Sequence, residues 1–479
     1  DIDNKASEKY ISTEEYNHKC RENVMKFTAE WRELTEEMGY FVDLDNPYIT
    51  YDNKYIETLW WLLKQLYNKG LLYKGYTIQP YSPSAGTGLS SHELNQPGCY
   101  IDVKDTTATV QFAIVENDWN ALCKKQGIKT NSWGTPSFIA WTTTPWTLPS
   151  NVALCVGPKI EYLVVETYNP YTANKATVVL ASTRLSAYFK PEGEVKEGEM
   201  PAYKTTDKVL PYRVVGKVMG TDLEGVHYEQ LMKWVKPVER IGELAPAFVN
   251  NYAEVHKDKV FQSEDGRDTF VEMESEAFRI ILGDYVTTED GTGIVHIAPT
   301  FGADDAKVAR DASIPALYLI SKKGETRPMV DLQGKYYTLE ELDKNFVSAC
   351  VNIDAYGKHA GDYVKNAYDP RFNTNGVWDK KGSEKAEDLN IVLCMEMKMA
   401  GEAFNIQKHT HNYPHCWRTD KPILYYPLDS WFIKDTAAKA RMVELNKTIN
   451  WQPESTGTGR FGNWLENLND WNLSRSRFW

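Results

Sequence analysis

The chain carries no Cys-x-x-Cys pair, and its seven cysteines (Cys20, Cys99, Cys123, Cys155, Cys350, Cys394, Cys416) are odd in number and widely scattered. That pattern excludes a zinc ribbon and a disulfide framework, and it favours a reducing, cytoplasmic compartment. No apolar run reaches the length needed to cross a bilayer, and no signal peptide is present. A basic excess is missing too. With 54 Lys and Arg against 66 Asp and Glu, the net charge of -12 argues against an overall electrostatic grip on nucleic acid. A local basic groove stays open. Also absent are the Gly-x-x-x-x-Gly-Lys-Ser/Thr phosphate loop, the Gly-x-Ser-x-Gly elbow and His-Glu-x-x-His.

What is present is ordinary globular chemistry in quantity. The 479 residues are 42% apolar and 25% charged, enough for two to four domains. The chain begins Asp1-Ile2-Asp3 and stops at Arg477-Phe478-Trp479, and both ends read as cuts inside a larger protein. The first hundred residues read as mainly helical. Val24, Phe27, Trp31, Leu34 and Met38 repeat at helical spacing before Gly39, and a second helix spans Tyr55–Lys69 between an Asp52 cap and a Gly70 stop. From about Val103 the period becomes that of strands: Thr109–Ile114, Ser137–Trp141, Val152–Val156, Tyr162–Glu166, Thr177–Ala181, Phe278–Leu282 and Gly293–Ala298. A helix opens near Asp304, while 185–275 reads as surface elaboration and hairpins. After Pro414 the texture changes again, to a buried strand at 422–428 and a helix over Lys434–Leu445. The expected organisation is an α/β chain in which a β-rich, barrel-like domain (103–413) interrupts another domain (1–102 and 414–479).

Two constellations carry chemistry. Trp141-Thr142-Thr143-Thr144-Pro145-Trp146-Thr147-Leu148-Pro149-Ser150-Asn151 follows an apolar strand and gathers four threonine hydroxyls and an amide around two prolines. Such a turn holds several hydrogen-bonding groups at one point, although a Pro-punctuated turn with incidental threonines would look the same. Gly291-Thr292-Gly293-Ile294-Val295-His296-Ile297-Ala298-Pro299 leads into Thr300-Phe301-Gly302-Ala303-Asp304-Asp305. Taken singly, His296 suits a core strand, and Asp304 and Asp305 suit the start of a helix. Taken together, a carboxylate, several hydroxyls and a histidine could bind an amino acid's ammonium group and orient water toward an adjacent ester.

Other signals are weaker. Gly457-x-Gly459-x-x-Gly462 matches a dinucleotide fingerprint but follows no convincing strand. His409, His411, His415 and Cys416 resemble a metal site with unusually short spacing and no second ligand pair. Arg475-Ser476-Arg477 is a small basic run of the kind that usually faces solvent.

The two constellations together closely resemble the editing domain of the isoleucyl family of class I aminoacyl-tRNA synthetases. The resemblance covers essentially the whole chain: Leu44–Tyr51 through Trp60, His411-Asn412-Tyr413-Pro414-His415-Cys416-Trp417-Arg418, and Asp470–Trp479 look like parts of the surrounding catalytic domain. Valyl and leucyl relatives typically read Thr-Thr-Arg-Pro where this chain has Thr144, and valyl relatives usually carry lysine in the place of His296. The resemblance implies a barrel-like editing domain inserted into a partial Rossmann-type catalytic domain. It places Thr142, Thr143 and Thr144 around the misacylated 3′ end and its hydrolytic water, with Thr147 and Asn151 in support. Asp305, with Asp304 beside it, would anchor the ammonium, His296 would limit side-chain size, and Trp146 would lie near the terminal adenosine.

The implied partners are the 3′ end of tRNA(Ile) and, for the full-length protein, isoleucine, ATP and Mg, with no membrane and a monomeric state. Neither the His-Ile-Gly-His-type nor the Lys-Met-Ser-Lys-Ser-type signature for ATP occurs in the chain, so synthesis of the aminoacyl ester is not expected of it. The Cys pairs some relatives use for zinc near Ser82–Ser91 are missing as well, and no metal is expected for editing. The need for two sites follows from valine being one methylene short of isoleucine. A hydrophobic pocket gains only about 1–3 kcal/mol from that group, isoleucine against valine being the standard example, so a second, smaller sieve is required. Two alternatives remain: a valyl-type editing domain that hydrolyses threonyl-tRNA, and a tRNA-binding module without catalysis.

Overall fold

The computed structural model describes residues 12–129, 133–243 and 245–475. Asp1-Ile2-Asp3 and the segment Ser476-Arg477-Phe478-Trp479, both singled out above, lie outside the described residues. The chain divides into two units, one built from the segments up to Thr77 and from Leu428 onward, the other from Ile78–Pro427.

The first unit contains helices Thr13–Val24, Thr28–Glu37, Asn53–Asn68, Thr436–Asn446, Glu454–Thr458 and Arg460–Glu466. The apolar spacing from Val24 to Met38 predicts one helix, but the chain breaks at Met25–Phe27. There Phe27 leaves helical geometry, and the Thr28 hydroxyl donates to the Met25 carbonyl (2.9 Å). Local hydroxyl bonding of this kind competes with helix continuation. The dinucleotide-like glycines serve packing instead: a Cβ at Gly457 would stand 2.1 Å from the Trp451 ring.

The second unit is a mixed α/β body. Its principal strands are β1 (Tyr100–Ala113), β2 (Thr135–Thr142), β3 (Ala153–Val156), β4 (Glu161–Tyr168), β5 (Lys175–Ala181), β6 (Arg213–Met219), β7 (Arg279–Leu282), β8 (Ile294–Ile297) and β9 (Ala403–Pro414). Six of them form one sheet in the order β9-β1-β2-β5-β4-β6, with β9 and β6 at its edges. The other three form a small sheet in the order β7-β3-β8. Within it β8 runs antiparallel to β3, pairing His296 with Leu154 and Ile297 with Ala153. Both faces of the large sheet are buried at β2, which explains why β2 reads as an unbroken apolar run and not as an alternation. Phe138 and Ala140 join one core with Val110, Leu154, Val179 and Ile297. Ile139 points to the other, with Leu163, Val178, Leu180 and Phe404.

Two features depart from the sequence reading. Strand β9 went unread because its polar half, Gln407–Asn412, alternates between solvent and the flank of β1 and lacks an apolar signature. The stretch 185–275 holds helices as well as hairpins, among them Ala247–Val255. Two helices position the site: α1 (Ala303–Asp311) and α2 (Leu389–Ala400).

Candidate active site

Strand β2 ends at Thr142, and the chain then tightens into a buried 3-10 turn over Pro145–Ser150. Pro145 presets the first position of that turn, where an N–H would be unused. The Thr144 N–H donates to the Thr142 hydroxyl (3.0 Å), a local turn of the kind serine and threonine favour. The hydroxyls then chain together. Thr144 Oγ1 lies 3.4 Å from both Thr142 Oγ1 and Thr147 Oγ1, and the Thr147 hydroxyl lies 3.2 Å from His296 Nε2. Thr143 sits half-buried within this run.

The protons in this chain can be assigned. Thr147 Oγ1 donates its hydrogen to the Thr144 carbonyl at 2.8 Å, so it accepts from His296, whose proton is therefore on Nε2. The other ring nitrogen, Nδ1, is enclosed and has no hydrogen-bond partner. Burial pushes the His296 pKa down to about 4, so the ring is neutral at physiological pH. An imidazole of such low basicity, with its unprotonated nitrogen enclosed, suits a wall better than a proton acceptor.

The second wall is the corner between β8 and α1. Gly293 (φ +75°) lets β8 start against β5, where a Cβ would lie 2.4 Å from the Ala181 side chain. At the far end a Cβ on Gly302 would stand 2.7 Å from the Asp305 carboxyl carbon, so glycine there makes room for that carboxylate. Asp305 occupies the first turn of α1 and turns inward, Oδ2 accepting the Ala298 N–H at 2.9 Å, while Asp304 beside it is exposed. Burial pushes the Asp305 pKa up to about 6; the Ala298 N–H opposes this and the charge of Asp304 adds to it. A carboxylate held in that state gains from a cation placed against it.

The remaining sequence candidates have structural places. Asn151 donates to the Ala153 carbonyl (2.8 Å) and accepts from the Tyr228 hydroxyl (2.7 Å), tying the turn to β3 from within the core. Trp146 is not an open stacking platform: it is 3% exposed, and the Phe301 ring packs edge-on against it at 4.9 Å. Its ring packs within the protein core and offers no open face for stacking. His409 and His411 follow the strand alternation of β9, with His409 edge-on to Trp141 and His411 bound to Asp105 at 3.2 Å. His415 donates from Nδ1 to the Tyr413 carbonyl (2.9 Å), and Cys416 is buried. Among the described residues no group of three or more His, Cys, Asp or Glu side chains is gathered to hold a metal ion.

Three residues at this site carried no signal in the sequence. Asn390 accepts the Trp146 N–H at 3.0 Å, Tyr336 donates to the Trp146 carbonyl at 2.6 Å, and Tyr228 holds Asn151. Each reaches the turn from far along the chain, where local spacing is silent.

The fold and site define a class, and similarity to known proteins agrees with it. Residues 1–479 match the model of tRNA synthetases class I (I, L, M and V), and the chain belongs to that family. It is 61% identical over 471 residues to the isoleucine–tRNA ligase of Bacteroides thetaiotaomicron, a match of 98% of this chain and 37% of that protein. The isoleucine–tRNA ligase of Porphyromonas gingivalis is 55% identical (98% and 36%), and that of Clostridium novyi 34% identical (100% and 34%). The chain thus spans about a third of the length of these relatives. Among solved structures, the Plasmodium knowlesi cytosolic leucyl-tRNA synthetase editing domain is 11% identical with a TM-score of 0.33, covering 64% of this chain and 97% of its own. That likeness is too distant to bear on the fold described above. Among the described residues no helix is long and apolar enough to cross a membrane.

Proposed function

We propose that this chain hydrolyses the ester of valine wrongly attached to tRNA(Ile), in the pocket between the threonine turn and the β8–α1 corner. The observation that carries the proposal is Asp305: a half-buried carboxylate near a turn that presents nothing but neutral hydroxyls. Its anion pairs with the ammonium of the aminoacyl group. The hydroxyls of Thr142, Thr143 and Thr144 hold the attacking water and the carbonyl oxygen as charge develops on it. Attack on the ester carbonyl releases the ribose oxygen and free valine. His296, neutral and wedged by Thr147, closes the pocket to isoleucine. Asn151 and Trp146 act from behind, fixing the turn.

The wider reading is of an isoleucine–tRNA ligase whose synthetic half needs more than this chain. In it the barrel-like editing domain, made by the two sheets around their shared core, is inserted into a Rossmann-type catalytic domain. The boundaries proposed at 102/103 and 413/414 fall within β1 and β9, the antiparallel pair at which the inserted domain would begin and end. Isoleucine, ATP and Mg belong to that longer protein. Neither ATP signature occurs in the chain. Seven free cysteines, six of them buried, support a reducing cytoplasm. A monomer is expected in light scattering.

The deciding experiment compares hydrolysis of valyl- and threonyl-tRNA by the chain. Preference for the valyl ester is the expected result. Preference for the threonyl ester would make this a valyl-type pocket, and binding without cleavage would make it a tRNA-binding module.

A further inference from the structure

The turn that carries the threonines is poorly equipped to hold itself. Pro145 and Pro149 have no N–H, so the Trp146 carbonyl cannot receive the 3-10 bond that position 149 would otherwise donate, while Thr147 N–H to Thr144 O (2.9 Å) and Asn151 N–H to Leu148 O (3.0 Å) close the two ends of the turn. The Trp146 peptide groups lie between these bonds and are buried, so both need partners from elsewhere. They find them in side chains. Asn390 Oδ1 accepts the N–H at 3.0 Å and Tyr336 Oη donates to the carbonyl at 2.6 Å, across 244 and 190 residues of sequence.

Neither partner is free to drift. Asn390 is the second residue of α2, just inside a cap in which Asp388 accepts the Ile391 N–H at 3.0 Å. Tyr336 is 1% exposed, with the Trp234 ring edge-on against it at 5.7 Å. The amide orientation of Asn390 is forced, because a main-chain N–H can only meet its oxygen. The two side chains therefore set where the Trp146 peptide sits relative to α2, and the hydroxyls of Thr144 and Thr147 on either side move with it.

We infer that Asn390 and Tyr336 are positioning residues for the ester-hydrolysing pocket: they clamp the Trp146 peptide and thereby fix the threonine hydroxyls in register with the ester. This rests on the function proposed above. Neither residue touches the reacting atoms. Their effect is on alignment, where an error near 1 Å can cost roughly a hundredfold in rate.

The test uses the whole chain with valyl-tRNA(Ile), and Asn390→Leu, Asn390→Asp and Tyr336→Phe variants. Asn390→Leu and Tyr336→Phe are expected to lower kcat about 10- to 100-fold with KM nearly unchanged, as for an interaction felt only in the transition state. Asn390→Asp keeps the acceptor and is expected to stay within about threefold of the parent, a difference of well under one kcal/mol in barrier. Hydrogen exchange read at the Trp146 amide should follow the same order, about tenfold faster or more in Asn390→Leu and protected in Asn390→Asp. If Asn390→Asp loses as much as Asn390→Leu, or if kcat and Trp146 exchange stay at parent levels in Asn390→Leu and Tyr336→Phe, the clamp is refuted. Tyr336→Phe retains the buried ring, so it speaks to the hydrogen bond even where Asn390→Leu fails to fold. A parent chain that cleaves neither valyl- nor threonyl-tRNA overturns the functional reading instead, and the exchange measurement still decides the clamp.

Discussion

The two walls of the proposed pocket are held by opposite means. The threonine turn is neutral: its hydroxyls bond to one another, to the Thr144 carbonyl and to His296, and its Trp146 peptide is clamped by two uncharged side chains. The β8–α1 corner instead confines ionisable groups, with His296 pushed down to about 4 and Asp305 pushed up to about 6 by burial. One wall is stable as it stands and supplies geometry. The other is electrostatically costly while empty and recovers that cost when a cation arrives. Such a division suits an enzyme that must recognise an ammonium group strongly yet align a weakly polar ester.

The largest effect should come from removing the charge that distinguishes the second wall. Asp305→Ala is expected to lower valyl-tRNA hydrolysis by roughly 30-fold to several thousandfold, the range of about 2–5 kcal/mol for losing one partner of a buried charge pair. Unchanged hydrolysis in a single-turnover assay would show that the ammonium anchor lies elsewhere. The same residue should behave oppositely in stability. Its folded pKa of about 6 lies above the ordinary 3.8, so the fold prefers the protonated acid. Stability from this group is present below pH 3.8 and is lost as pH rises through about 6. Asp305→Asn, which mimics the protonated acid, should therefore stabilise the chain at pH 7 by up to about 3 kcal/mol and bring little change at pH 3. Urea titrations at the two pH values check this, and equal differences at both would contradict it.

Much of both walls was legible in the sequence, and little of what holds the first. The run Phe138–Ala140 announced a buried strand, Pro145 and Pro149 announced a turn, and Asp304–Asp305 announced a helix start, because each rests on local preferences. The β9 strand was hidden because its polar half pairs along the flank of β1 without an apolar pattern. Asn390, Tyr336 and Tyr228 were hidden for a different reason. Each meets the turn through one hydrogen bond made possible only by the tertiary fold, and nothing in the spacing of a lone Asn or Tyr foretells that. The burial of Trp146 was hidden on the same account, since a tryptophan in a hydroxyl-rich turn looks available until Phe301 is found against it.

A smaller effect is expected at the residue shared by both walls. His296→Ala should admit isoleucyl-tRNA, improving its hydrolysis relative to the valyl ester by about 10- to 200-fold, the usual worth of about 1–3 kcal/mol for a methylene-sized fit. Unaltered selectivity would remove His296 from the role of size limit. The pH profile separates the two ionisable groups without mutation. Hydrolysis should fall as pH drops through about 6, where Asp305 takes up a proton, and the neutral His296 should add no inflection until about 4. In Asp305→Asn the step near pH 6 should vanish from whatever activity remains.

The mildest perturbation is also the most discriminating between the walls, because it cuts the bond that joins them. Thr147→Val is nearly isosteric, but it removes the acceptor for His296 Nε2–H and the donor to the Thr144 carbonyl. Leaving such buried groups unpaired costs about 1–3 kcal/mol, so a modest loss of stability is expected in a denaturant titration. The catalytic consequence should be confined to selectivity. His296 would lose the contact that sets its tautomer and orientation, so discrimination against isoleucyl-tRNA should weaken by a few fold, about 1 kcal/mol. The Asp305 wall is untouched, and the fall of activity near pH 6 should persist. If Thr147→Val abolishes valyl-tRNA hydrolysis outright while leaving selectivity intact, Thr147 itself meets the reacting ester. The line between a supporting residue and a catalytic one would then fall one turn further along the chain.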